Sequence, residues 1–176
     1  MSMRNVLLAA CSVLLLSHRA MSAESPNLGK PASPGEIASW DVSIGPDGAG
    51  LPAGRGTPQQ GEQVYLAKCV GCHGEKGVGK PNDRLVGGPE LLAPGQAPVK
   101  TVGNFWPYAT TVFDYVRRAM PLNDPKSLKD DEVYAVVAYL LWLNGVIDEN
   151  ETIDAKTLPA VRMPNRDGFV RFSRER

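Results

Sequence analysis

In the stretch "LAKCVGCHGEKG", residues 66–77, two thiols and an imidazole (Cys69, Cys72 and His73) fall within five positions. Such a group could hold a structural metal, form a redox disulfide or anchor a prosthetic group. The chain has three cysteines and two histidines, and Cys11 and His18 lie in an N-terminal segment expected to be removed. No second pair of cysteines or histidines is then left to complete a four-ligand zinc site. A dithiol–disulfide pair leaves the adjacent His73 and the glycine-rich sequence after it without a role. Covalent attachment of one c-type haem accounts for all three residues. The thiols add across the two porphyrin vinyl groups, and the next residue, His73, is delivered beneath the iron as its proximal ligand.

An iron that only moves electrons needs a sixth ligand, because an open position invites oxygen or peroxide chemistry. Once the N-terminal segment is removed, the remaining methionines are Met120 and Met163. Met120 stands 47 residues after His73, at an expected helix end followed by Pro121, and is the candidate distal ligand. Met163 lies beyond the last expected helix and reads as a gap-filling core residue. His73 is expected to bind through Nε2 while its Nδ1 proton goes to a backbone carbonyl. Arg84, Lys100, Asn104, Trp106 and Tyr108 are candidate propionate or haem contacts, since a buried propionate requires donors.

Three helices would position these groups. Thr57 reads as an N-cap with Pro58 at the first helical position, opening a helix that runs to the Cys69–His73 motif. Gly74, Gly77, Gly79, Gly87 and Gly88 then make a loop able to bend around a flat group. A second helix is expected from Thr111, with Asp114 three on as in a capping box, to Met120, where Pro121 stops it. The third is expected from Ser127, with Asp130 three on, to the C-capping Gly145. Its Val133, Val136, Val137, Leu140 and Leu143 share one face, and Tyr134, Ala135, Ala138, Leu141 and Trp142 make it apolar nearly all round. Such a helix is covered on both sides. The expected cover is the chain's own arm or tail, through Val161, Phe169 and Phe172. A partner contact is expected nearer the haem edge, where Lys68, Lys76, Lys80 and Arg84 stand against Glu75 and Asp83.

The division that follows is a signal peptide over 1–23, an extended proline- and glycine-rich arm over 24–56, a haem domain over 57–146 and an irregular tail over 147–176. Residues 1–23 have a basic start at Arg4, an apolar run from Val6 to Leu16 and small residues Ala20, Ser22 and Ala23 near a cleavage point. "LAAC" at 8–11 also resembles a lipoprotein box, but the apolar run continues past Cys11. The expected address is therefore the periplasm, without stable membrane insertion, because no other stretch approaches about 20 apolar residues. Loss of Arg4 and Arg19 would leave 17 basic against 19 acidic residues. That balance gives no sign of a nucleic-acid partner.

The order helix, haem motif, loops, methionine, helix resembles that of class I cytochromes c and implies an all-α fold over 57–146. In that family the first and last helices cross at a small residue and an aromatic, here Gly61 and Tyr139. The family also places its axial methionine where Met120 stands, and orients the histidine through a carbonyl near a loop proline, for which Pro81 and Pro89 both qualify. A narrower resemblance is carried by "KTVGNFWPYATTVFDYVRRAMP" (100–121), "WDVSIGPDGAGLPAGRGT", "DRLVGG" and "LPAVRMPNRDGF". These are similar to the haem subunits of molybdenum sulfite dehydrogenases, SoxD-type cytochromes among them. The resemblance implies a chain that is not catalytic alone. It would take single electrons from a molybdopterin-containing subunit that oxidises a sulfur compound and pass them to another cytochrome. Some SoxD-type subunits are larger and carry a second haem domain, which points to the smaller sulfite dehydrogenase type. A free electron shuttle and a catalytic-haem enzyme, such as a peroxidase or a thiosulfate-oxidising cytochrome, are the alternatives.

Overall fold

The computed structural model describes residues 28–95 and 97–170, so the segments carrying Cys11, His18 and Phe172 lie outside it. It contains helices α1 (Pro34–Trp40), α2 (Pro58–Lys68), α3 (Val70–His73), α4 (Ala109–Ala119) and α5 (Asp130–Leu143). Two short strands, β1 (Arg55–Gly56) and β2 (Ile153–Asp154), pair antiparallel. Among the described residues, those up to Trp40 form one unit and those from Asp41 another. In the first, residues 34–40 are helical where an extended arm was expected. Ser33 and Glu36 account for this, because the Glu36 carboxylate accepts from the Ser33 backbone N–H at 2.8 Å while Ser33 Oγ accepts from Glu36 N–H. No helix among the described residues is long and apolar enough to cross a membrane.

Helix α2 begins as its sequence signals. Gln60 Oε1 accepts from Thr57 N–H at 3.0 Å, Thr57 Oγ1 accepts from Gln60 N–H, and Pro58 takes the first helical position. Its axis crosses α5 at Gly61, where any Cβ would overlap the Ala135 carbonyl and lie 2.7 Å from Tyr139 Cβ. One turn on, the Tyr65 and Tyr139 rings pack with centroids 5.3 Å apart. Only glycine lets the two backbones come this close.

The other two long helices start elsewhere than their cap signals suggest. Helix α4 begins at Ala109 with Tyr108 as N-cap, two residues before the expected start. Its buried Ala109, Val112, Phe113 and Val116 form one stripe that opens at 109, so packing rather than capping sets the boundary. Asp114 consequently lies inside the helix and pairs with Arg118 one turn on. Helix α5 begins at Asp130, three residues beyond the expected Ser127 cap. Lys129 is the N-cap, and its N–H donates to the Glu132 carboxylate at 2.8 Å. Ser127 Oγ is instead buried without a hydrogen-bond partner among the described residues. At the C-terminus, Gly145 (φ +66°) donates to the Trp142 carbonyl and Val146 to the Leu141 carbonyl, which is a Schellman ending.

Helix α5 is the centre of the domain and is buried from Val133 to Leu141. The chain's own ends supply the cover. Tyr134 donates to the Pro52 carbonyl at 2.9 Å, Arg55 N–H donates to Asp131, and Gly56 lies against the Ala135 backbone. From the tail, β2 packs on the same helix, and Ile153, Leu158, Val161 and Met163 join the core. Phe169 does not share that burial; it is 56% exposed and packs on Phe105.

Candidate functional site

A cleft of about 590 Å³ opens between α2, α4 and α5. Its floor is apolar, built from Val102, Val112, Val116, Val136 and Leu140. Cys69, Cys72 and His73 occupy one side and Met120 with Pro121 and Leu122 another. Arg84, Lys100 and Trp106 also line it. Helix geometry explains the first group. Cys69 ends α2, with its N–H on the Tyr65 carbonyl at 2.8 Å, and α3 then carries Cys72 and His73 round one further turn.

The loop after His73 folds back over the motif. Gly74 (φ +73°) reverses the chain at a point where a Cβ would lie 2.6 Å from the Gly79 carbonyl oxygen. Gly79 N–H then donates to the His73 carbonyl at 2.8 Å and Asn82 N–H to the Cys72 carbonyl at 2.9 Å. The same fold-back brings the Asp83 carbonyl oxygen to 2.8 Å from His73 Nδ1. The imidazole protonated at Nδ1 donates that bond and leaves Nε2 for a ligand. The orienting carbonyl thus belongs to Asp83, two residues past Pro81, and Pro89 is elsewhere. Sequence alone could not choose between the prolines, because the choice depends on where the loop closes.

Cys69 is half-buried and Cys72 exposed. Burial, with a smaller contribution from the neighbouring Cys72, pushes the Cys69 thiol up to about 11. Tyr65, whose hydroxyl donates to the Gly74 carbonyl at 2.8 Å, is pushed up to about 12, chiefly by burial.

Residues 56–140 match the family model described as cytochrome c oxidase, cbb3-type, subunit III. Among solved structures, the sulfane dehydrogenase SoxCD from Paracoccus pantotrophus superposes with a TM-score of 0.76 at 37% identity, over 83% of this chain and 72% of that one. The chain belongs to the cytochrome c family. No curated protein matches it at a significant level. The cytochrome is accordingly an electron-transfer protein of the haem c type, all-α in its core.

The residues of the cleft fit a haem. Its floor is aliphatic, the two thiols and the imidazole lie together in sequence on its lining, and Arg84, Lys100 and Trp106 add cationic and N–H donors to that lining. Met120 is half-buried, extended at the end of α4, and its N–H is tied to the Val116 carbonyl at 3.1 Å. Met163 is 1% exposed, sits in the core and is absent from the cleft lining.

Two of the expected contacts are placed differently. Asn104 is buried and fully engaged, accepting from Thr101 N–H and donating to the Gly88 and Val99 carbonyls, so it holds the loop rather than a ligand. Tyr108 does not line the cleft either; the Arg166 guanidinium lies 4.2 Å above its ring. Both residues sit in a segment without helical periodicity, where side-chain direction cannot be read from spacing. Sequence reasoning also missed Asn144 as a clamp. Its Oδ1 accepts from Gly87 N–H at 3.0 Å and its Nδ2 donates to the Leu85 carbonyl, tying the end of α5 to the loop beside the cleft.

Proposed function

We propose that this protein is a monohaem cytochrome that takes single electrons from a molybdenum-containing subunit oxidising a sulfur compound and hands them to a second cytochrome outside the cytoplasmic membrane. The observation that carries the haem assignment is the convergence of Cys69, Cys72, His73 and Met120 on one apolar cleft. In this reading the Cys69 and Cys72 sulfurs would hold the haem covalently, and His73 Nε2 and Met120 Sδ would ligate its iron. The bound haem supplies a one-electron couple. The chain's contribution is to fix the His73 ring through Asp83, exclude water with the aliphatic floor, and present Arg84, Lys100 and Trp106 as donors toward the propionates.

Two observations support a dedicated partner. The likeness to the SoxCD sulfane dehydrogenase extends over 83% of this chain, beyond the matched family domain at 56–140. Exposed cations Lys68, Lys76 and Lys80 also stand on or just after the motif-bearing helices, where a partner would approach the cleft. The expected location is the periplasm, following removal of residues 1–23. The test is co-expression with a candidate molybdenum subunit, followed by stopped-flow reduction of the haem on adding sulfite or a sulfane compound. Reduction that depends on the partner supports the proposal. Rapid turnover of substrate by the isolated cytochrome would move the chemistry to this haem instead.

A further inference from the structure

Phe105 and Trp106 form a wall of the cleft, yet they belong to no helix or strand. On their N-terminal side the Thr101–Asn104 hydrogen bonds hold them. On the outer side the holding contacts come from the tail, some sixty positions away in sequence. Asn165 Nδ2 donates to the Phe105 carbonyl at 2.7 Å. The Phe169 ring meets the Phe105 ring edge-on, with centroids 5.5 Å apart and planes at 70°. Arg166 lies over Tyr108, and Met163, fully buried, anchors the turn from which these side chains project. A hydrogen bond and an aromatic contact at Phe105 and a cation–π contact at Tyr108 thus hold the two ends of the segment 105–108.

We propose that residues 165–169 are a positioning clip for the Phe105–Trp106 wall, and that through this wall the tail sets the reduction potential of the site. The inference rests on the haem reading above. The oxidised iron carries one more positive charge than the reduced iron, so a wall that keeps water out disfavours the oxidised state and raises the potential. A wall released from its clip admits water and lowers it. None of Asn165, Arg166 and Phe169 lines the cleft, so their effect is exerted through Phe105 and Trp106.

The experiment is a redox titration of the full-length, haem-loaded protein. Asn165→Ala with Phe169→Ala changes no charge, so a shift reports on the wall and not on an added or lost cation. The expected result is a lower potential, with the equilibrium constant for reduction falling at least threefold, and recovery of most of the shift when Phe169 is replaced by Tyr and Asn165 is restored. Val170→Ala, at a neighbouring side chain that is 92% exposed, is expected to leave the potential unchanged. An unaltered potential in the double variant alongside a lowered melting temperature would show a purely structural tail and overturn the clip. A shift of equal size in Val170→Ala would overturn it as well. Should the double variant fail to fold, Phe169→Leu alone carries the same titration. Absence of covalently held haem in the unsubstituted protein is a separate result, which would remove the haem reading itself.

Discussion

Helix α5 presents two unlike sides. Toward α2 it offers Ala135 and Tyr139, which meet Gly61 and Tyr65 with no space for one further methyl group. Toward the cleft it offers Val136 and Leu140, which line an open volume of about 590 Å³. The first side meets backbone and rings of α2 directly, whereas the second, though buried, borders the space in which the haem would sit. Stability and haem binding are therefore carried by adjacent faces of one helix, about 100° apart, and substitutions on the two faces should separate in their effects.

The sharpest way to break that separation is at Gly61. Gly61→Val is expected to prevent folding, because overpacking commonly costs about 1–3 kcal/mol and here the obstacle is backbone. Loss of helical circular dichroism and of haem loading checks this; a folded, haem-loaded Gly61→Val protein would show that the crossing is not tight. The two methionines come next. Met163→Ala is expected to destabilise the protein by about 2–5 kcal/mol through a core cavity while leaving the visible spectrum unchanged. Met120→Ala is expected to abolish the weak red sulfur-to-iron(III) absorption with a smaller loss of stability. If Met163→Ala removed that band, the cleft would have been assigned to the wrong methionine.

A smaller effect is expected at Asn144, which bridges α5 to the loop beside the cleft. Asn144→Ala breaks its bonds to Gly87 and Leu85 and leaves those groups to water, at a cost of about 1 kcal/mol per bond measurable by denaturant titration. The mildest test is pH. Burial raises the phenols of Tyr65 and Tyr134 to about 12 from the usual 10. The stabilisation tied to their neutral forms is complete below pH 10 and disappears as pH rises toward 12. Thermal unfolding should thus be flat from pH 8 to 10 and fall above it, and Tyr134→Phe should shallow the fall. An unchanged melting temperature at pH 11.5 would mean that these phenols ionise without penalty.

The α2 cap at Thr57 was legible in the sequence as a local signal, and the Gly61–Tyr139 crossing followed from the resemblance to class I cytochromes c. The starts of α4 and α5 were not legible. Thr111 and Ser127 carry respectable capping signals, but the buried stripe of Ala109, Val112, Phe113 and Val116 outweighed one cap, and Glu132 offered Lys129 N–H a carboxylate. Contacts made by irregular segments were also hidden, among them Asp83 with His73 at the end of α3 and Asn165 with the distant Phe105. No period links such pairs, and only the closed loops bring them together. The cover expected from the arm or tail could not be assigned to particular arm residues, and Pro52 through Gly56 supply it around α5.

The antiparallel pair of Arg55 with Asp154 joins residues about a hundred positions apart. Closing so long a loop costs more entropy than any helix-to-helix contact inside it, and that cost must be met before the contact contributes. A chain emerging from its N-terminus presents Cys69, Cys72 and His73 long before residue 154 arrives to fasten the outer side of α5. During biogenesis there is consequently an interval in which the thiols are accessible and the domain is not yet latched, and the two-residue ribbon acts as the fastening that ends it.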